Sequence, residues 1–127
     1  MKTAILFYLN KTKEAEQSLQ KTEQILDQLP YLRETSGLKV LQGVFLIKNG
    51  KESAGRNSID EGRDMIRQSG HTYYFLFIYQ LLSLLLPKSG ASSDAVDYYH
   101  KEAARYFKYC ESDQLKPDIE KQIFSII

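Results

Sequence analysis

Apolar residues recur along this chain at the three- and four-residue spacing of helix faces, and polar turns interrupt them at intervals. In "KEAEQSLQKTEQILDQL", Ala15, Leu19, Thr22, Leu26 and Leu29 form one such row, and Pro30 stops it. From Leu32 to Lys48, Leu38, Leu41, Phe45 and Lys48 fall along one row, with Val40, Val44 and Ile47 along the next. "NGK" at 49–51 predicts a turn in which Gly50 takes positive φ. A third helix runs from near Ser53 to the "QSG" ending in Gly70, and the most apolar helix covers 72–86 and ends at "PKSG". Ser92, Ser93 or Asp94 caps the helix carrying "DAVDYYHKEAARYFKYC". Pro117 suits the first turn of a last helix faced by Ile119, Ile123, Ile126 and Ile127. "TYYFLFIY" has the composition of a strand, but its length, its flanks and the lack of a partner strand favour a buried helix. The expected class is all-α.

A shift of 40 residues superimposes Asn10, Gly50 and Gly90 at the turns. Leu6, Leu46 and Leu86 then coincide before them. After them come Ala15, Gly55 and Ala95, then Leu19, Ile59 and Tyr99, then Leu26, Ile66 and Tyr106. A small residue five positions after each turn, followed four later by a large one, recurs in three units of about 1–30, 31–70 and 71–111, with a capping helix over 115–127. This frame starts the first helix of the first unit ahead of Met1, so Phe7 and Tyr8 face where an earlier repeat would lie. The expectation is either the C-terminal part of a longer repeat protein or a dimer joined at its N-terminal end.

Gly43, Gly55 and Gly62 fall inside helical segments, where each costs roughly 1 kcal/mol against Ala. Small residues let the two helices of a hairpin approach closely, and Gly43, Gly55 and Gly62 are placed for that. The run Gly43, Gly55, Ile59, Gly62 resembles the small-residue pattern of the tetratricopeptide repeat, clearest over 36–70. Lys39 stands where that family usually has Trp, and the period is near 40 rather than 34. The segment "VLQGVFLIKNGK" with its following amphipathic helix is also similar to the C-terminal peptide-sensing repeats of Rgg-like and PlcR-like bacterial transcription regulators. The resemblance implies a right-handed stack of antiparallel hairpins that dimerises and holds a short peptide in a concave groove. By the family's usual groove positions the candidates are Val40, Val44, Ile47 and Lys48, with Phe77, Gln80 and Leu84 from the next unit. No helix-turn-helix reader is recognisable, so DNA binding does not carry over.

Composition narrows the alternatives. The chain has 127 residues, 17 Lys plus Arg against 16 Asp plus Glu, and a net charge of +1, which disfavours nucleic-acid binding by this chain alone. Cys110 is the only cysteine, so no intramolecular disulfide and no cysteine cluster can form. The apolar stretch 73–86 is interrupted by Gln80 and Ser83 and is too short for a bilayer span, and no early segment reads as a signal peptide. A cytoplasmic protein without a membrane partner is the simplest reading.

The candidate chemistry is sparse. His71 and His100 lack a second ligand at metal spacing, so neither a metal nor another cofactor is expected. Asp60, Glu61 and Asp64 read as a solvated run balanced by Arg56, Arg63 and Arg67. "YYHKEAARYFKY" mixes bases and aromatics as nucleic-acid binders do, yet its spacing fits an amphipathic repeat helix better. In the aromatic run Tyr73, Tyr74, Phe75, Phe77 and Tyr79, not every ring can face one side of a helix. Gln80 is the polar group there that a peptide backbone could satisfy. No phosphate-binding loop, dinucleotide glycine pattern or nucleophile elbow occurs, so an enzyme is not expected. The expected function is protein or peptide binding in a regulatory role; the alternative is a structural oligomerisation module without a small ligand.

Overall fold

The computed structural model of the chain describes residues 2–28, 31–70, 72–109 and 115–126. The expectations for Pro30, His71 and Cys110 lie outside the described residues. Among the described residues seven helices follow one another: α1 (Lys2–Tyr8), α2 (Thr12–Gln28), α3 (Leu32–Lys48), α4 (Glu52–Ser69), α5 (Thr72–Ser89), α6 (Ser93–Tyr109) and α7 (Leu115–Ile126). No strand occurs among the described residues. The expected all-α class holds, and the strand-like "TYYFLFIY" is helix.

Three antiparallel hairpins, α1–α2, α3–α4 and α5–α6, turn at equivalent residues. Asn10, Gly50 and Gly90 all have left-handed φ, at 63°, 83° and 76°. At the first turn the Asn10 amide donates to the Phe7 carbonyl and the Lys11 amide to Leu6, at 3.0 and 2.9 Å. The second turn repeats this forty residues on, with Gly50 donating to Ile47 and Lys51 to Leu46, at 3.0 and 2.8 Å. These paired bonds satisfy the helix's last carbonyls and require a residue that tolerates the left-handed region, Gly by preference and Asn next.

Within the second hairpin the helices pack backbone against backbone. A Cβ built on Gly62 would sit 2.5 Å from the Ser36 carbonyl oxygen, so only hydrogen fits. Ala15, Gly55 and Ala95, equivalent in the three units, are all buried. In the third unit Glu102 occupies the place of Gly62, and α6 stands further from its partner to hold it.

The second and third hairpins meet at the spacing of the sequence repeat. Lys48 Nζ reaches the Lys88 carbonyl and the Glu52 carboxylate accepts from Ser92, both across forty positions. Asp60 accepts from Tyr99, Arg63 donates to Glu102 and Arg67 to Tyr106, each across 39. The repeat seen in the sequence is therefore also the spacing of contacts between units. A three-dimensional repeat can keep its register with few identities, because what recurs is size and polarity at the seams.

The central helix is α5. Phe75, Leu76, Phe77, Ile78, Tyr79, Gln80, Leu81, Leu82, Leu85 and Leu86 are all buried, so most of its circumference is enclosed. Its neighbours are α1, α3, α4, α6 and α7. Of the aromatic run, Tyr73 remains exposed and Tyr74 half-buried, while Phe75 and Tyr79 join Tyr106 of α6 with ring centroids 4.9 and 5.3 Å away.

One expectation about the first helix needs correction. Phe7 and Tyr8 do not face a vacant place for an earlier repeat. Phe7 is 3% exposed and its ring lies 5.1 Å from Phe45, while Tyr8 meets Phe124 of α7 edge-on at 6.1 Å. The cause is α7, whose seat is α5 beside α1: Ile123 is fully buried next to Ala4, Ile5, Leu81, Leu84 and Leu85. The last helix thus covers the first.

Candidate functional site

An apolar groove of about 590 Å³ opens between α2, α3 and α5, under the first turn of α1. Leu38 and Leu41 of α3 and Phe77, Ile78, Leu81 and Leu82 of α5 make its floor, Ile25 and Leu26 of α2 one wall, and Tyr31, Arg33 and Glu34 its rim. Ile25 and Tyr31 are 60% and 61% exposed, unusual for large apolar side chains beside a hydrophobic hollow.

The described part of α1 leaves the second half of α2 uncovered on this side. α1 has 7 residues where α2 has 17. Thr3 of α1 bonds Ser18 of α2 at 2.8 Å, so in an antiparallel pair α1 covers only the first half of α2. Thr22, Ile25 and Leu26, in the second half, border the groove instead. In the second hairpin the matching stretch of α4, around Gly62 and Ile66, lies under the first half of α3 and is buried.

Tyr74 closes one end. Its hydroxyl stands over Gly37, whose lack of a side chain makes the room, and its ring stacks near Phe77 with the Arg33 guanidinium 5.4 Å above. Burial, then the nearby Glu34 charge, raise the Tyr74 pKa against the opposing pull of Arg33. Arg33 in turn pairs with Glu34 at 3.0 Å. Beyond this gate a second hollow of about 560 Å³ shares Arg33, Tyr74 and Phe77 and reaches Tyr73 and Gln122. The Tyr73 hydroxyl donates to the Gln122 side-chain oxygen at 2.5 Å.

The seven residues expected to line a peptide groove do not share one site. Val40 and Phe77 border the groove between α2, α3 and α5. Ile47 belongs to the buried α3 face turned to α4, since a Cβ on Gly55 would fall 2.6 Å from its side chain, and Val44 is wholly buried. Lys48 is exposed at the turn and reaches the Lys88 carbonyl at 3.5 Å. Gln80 donates to Glu120 of α7 at 2.6 Å, and Leu84 borders the small gap between α1, α5 and α7. The chain's own last helix therefore holds the place expected for a peptide over Gln80 and Leu84. Groove residues that sequence reasoning missed are Ile25, Leu26, Tyr31, Leu38 and Leu41. One signal pointed to them: Gly43 shares a helix face with Val40, Val44 and Ile47, which marks that row as the hairpin seam and leaves the row of Leu38 and Leu41 for the groove.

A second polar constellation ties α4, α5 and α6. Glu102, 7% exposed, accepts from Arg63 at 3.2 Å and from the Tyr79 hydroxyl at 3.1 Å, with Arg105 at 3.5 Å. Arg63 also pairs with Asp60 at 3.3 Å and Asp64 at 3.2 Å. Burial, then the Glu102 charge, raise the Tyr79 pKa and keep the phenol protonated. Burial works against the charge on Arg63, but Tyr79, Asp60 and Glu102 raise its pKa above the usual value. The acidic run expected to be solvated is thus partly consumed in joining hairpins. These groups satisfy one another, so the cluster acts as a polar seam.

Among the described residues no group of three or more His, Cys, Asp or Glu side chains is placed to hold a metal. Among the same residues no helix is long and apolar enough to cross a membrane. No family model, no curated protein and no solved structure matches the chain.

Proposed function

We propose that this chain is a helical-repeat binding domain that recognises a peptide or protein segment in the groove between α2, α3 and α5, and that it serves a regulatory contact, as the resemblance to peptide-sensing repeats implies. The observation that carries this reading is the groove itself: an apolar floor with Ile25 and Tyr31 left open at its edge. Such a floor gives affinity by burying apolar side chains, and the polar rim of Arg33 and Glu34 fixes orientation. A displayed peptide library panned on the full chain tests it. Selected peptides should lose binding to Ile25→Glu and keep it with Lys101→Glu, an exposed change on α6. Binders indifferent to Ile25→Glu would end this assignment of the groove.

A further inference from the structure

We propose that Asn49 is a modification site: it converts spontaneously, with water alone, to aspartate or isoaspartate, and the closed turn between α3 and α4 holds that conversion back. Asn is a labile side chain because the following backbone amide can attack its carboxamide. Here the Gly50 nitrogen bonds to Asn49 Cγ, and its hydrogen leaves with the side-chain amino group as ammonia, closing a cyclic imide. Water then adds to one imide carbonyl and opens the ring. One direction of opening gives aspartate. The other gives isoaspartate, whose main chain runs through Cβ and is longer by one methylene.

The chain's asparagines are Asn10, Asn49 and Asn57, and Asn49 alone precedes a glycine. Lys11 and Ser58 follow the other two, and their side chains crowd the attacking nitrogen. Gly50 has no side chain, and nothing lies within 4 Å of the place a Cβ would take. Asn49 and Gly50 are both exposed, so water reaches the imide.

The folded turn opposes the attack in two ways. The Gly50 amide donates to the Ile47 carbonyl at 3.0 Å, so the attacking group is engaged. Asn49 has ψ 14°, which nearly eclipses the Gly50 nitrogen with the backbone nitrogen of Asn49, whereas ring closure needs it eclipsed with Cβ. The turn must open before the ring can form. The bonds that satisfy the last carbonyls of α3 are therefore also the lock on Asn49.

Isoaspartate cannot rebuild that turn. The added methylene prevents Gly50 and Lys51 from both regaining Ile47 and Leu46 as acceptors. The new carboxylate also stands at the C-terminal end of α3, where the helix dipole disfavours negative charge. On either side Lys48 reaches the Lys88 carbonyl and Glu52 accepts from Ser92, so the damage falls where the second and third hairpins join.

The test incubates the full chain in mildly alkaline buffer, once folded and once in urea beyond its unfolding transition. Mass spectrometry follows the proteolytic peptides that carry Asn10, Asn49 and Asn57. In urea Asn49 should convert at least about tenfold faster than in the folded chain. It should also outrun Asn10 and Asn57 there, and Gly50→Ala in urea should slow it by about tenfold. Equal rates at Asn49 in the folded and unfolded chain overturn the lock. An unfolded chain in which Asn49 converts no faster than Asn10 or Asn57 overturns the site. The converted chain, returned to buffer, should unfold at lower urea than the unconverted one, and an unchanged midpoint overturns the effect on the hairpin join.

Discussion

Gly43 and Gly55 meet face to face across the α3–α4 crossing, each against the other's carbonyl oxygen; a Cβ on Gly55 would lie 2.5 Å from that of Gly43. The two glycines are one contact, and neither can change alone. Their cost to helix propensity is offset by what the approach allows, the burial of Ile47 and Ile59 against the opposite backbone.

Gly55→Ala and Gly62→Ala should each destabilise the chain by about 1–3 kcal/mol, because overpacking outweighs the roughly 1 kcal/mol that Ala gains in a helix. Urea unfolding measures this, and an unchanged midpoint would contradict the packing described. Gly50→Ala has open space around its Cβ but φ +83, so its loss reports backbone strain alone.

Glu102→Ala should destabilise by about 2–3 kcal/mol, since it strips the Tyr79 hydroxyl of its acceptor and Arg63 of one carboxylate. Tyr79→Phe should cost about 1 kcal/mol through the lost bond. The double variant should lose less than the two single losses combined, because both act on one network. Strict additivity would show that the hydroxyl and carboxylate are not coupled.

Glu52 gives the join between hairpins a dependence on acid. Hydrogen bonds from the Ser92 backbone amide, and then from its hydroxyl, lower the Glu52 pKa below its usual 4.5. The stability from this link is present above the usual value and lost as pH falls from there through the lowered pKa. The difference between the native chain and Glu52→Gln should be constant from about pH 5 to 7 and shrink below about pH 4. A difference that grows in acid would reverse the sign argued here.

Ile123→Ala should destabilise by about 2–4 kcal/mol, as this side chain is buried where α7 meets α1 and α5. Protection of the α1 amides in hydrogen exchange should fall with it. Loss confined to α7 would mean that α1 is held without it.

What the sequence made legible was local. Asn10, Gly50 and Gly90 announce turns because left-handed backbone selects their residue types, and Gly55 and Gly62 announce a close seam because only hydrogen fits. The groove was harder to read. α3 is apolar around much of its circumference, so periodicity alone could not say whether the Val44 row or the Leu41 row faced α4. Gln80 was read as available to a ligand, whereas its acceptor is Glu120, forty positions away on a helix whose seat no local rule specifies. Glu102 looked like a lapse in the small-residue pattern until Arg63 and Tyr79 stood beside it.

The register between units has a dynamic consequence. The second and third hairpins are laced together by Glu52–Ser92, Asp60–Tyr99, Arg63–Glu102 and Arg67–Tyr106. The first joins the second through the Phe7–Phe45 rings and the hydrogen bond that Gln42 donates to Glu23 at 3.3 Å. Local opening follows such lacing, so hydrogen exchange of the α3 to α6 amides should be slower than that of the α2 amides. The groove wall that carries Ile25 is then the less tightly laced one.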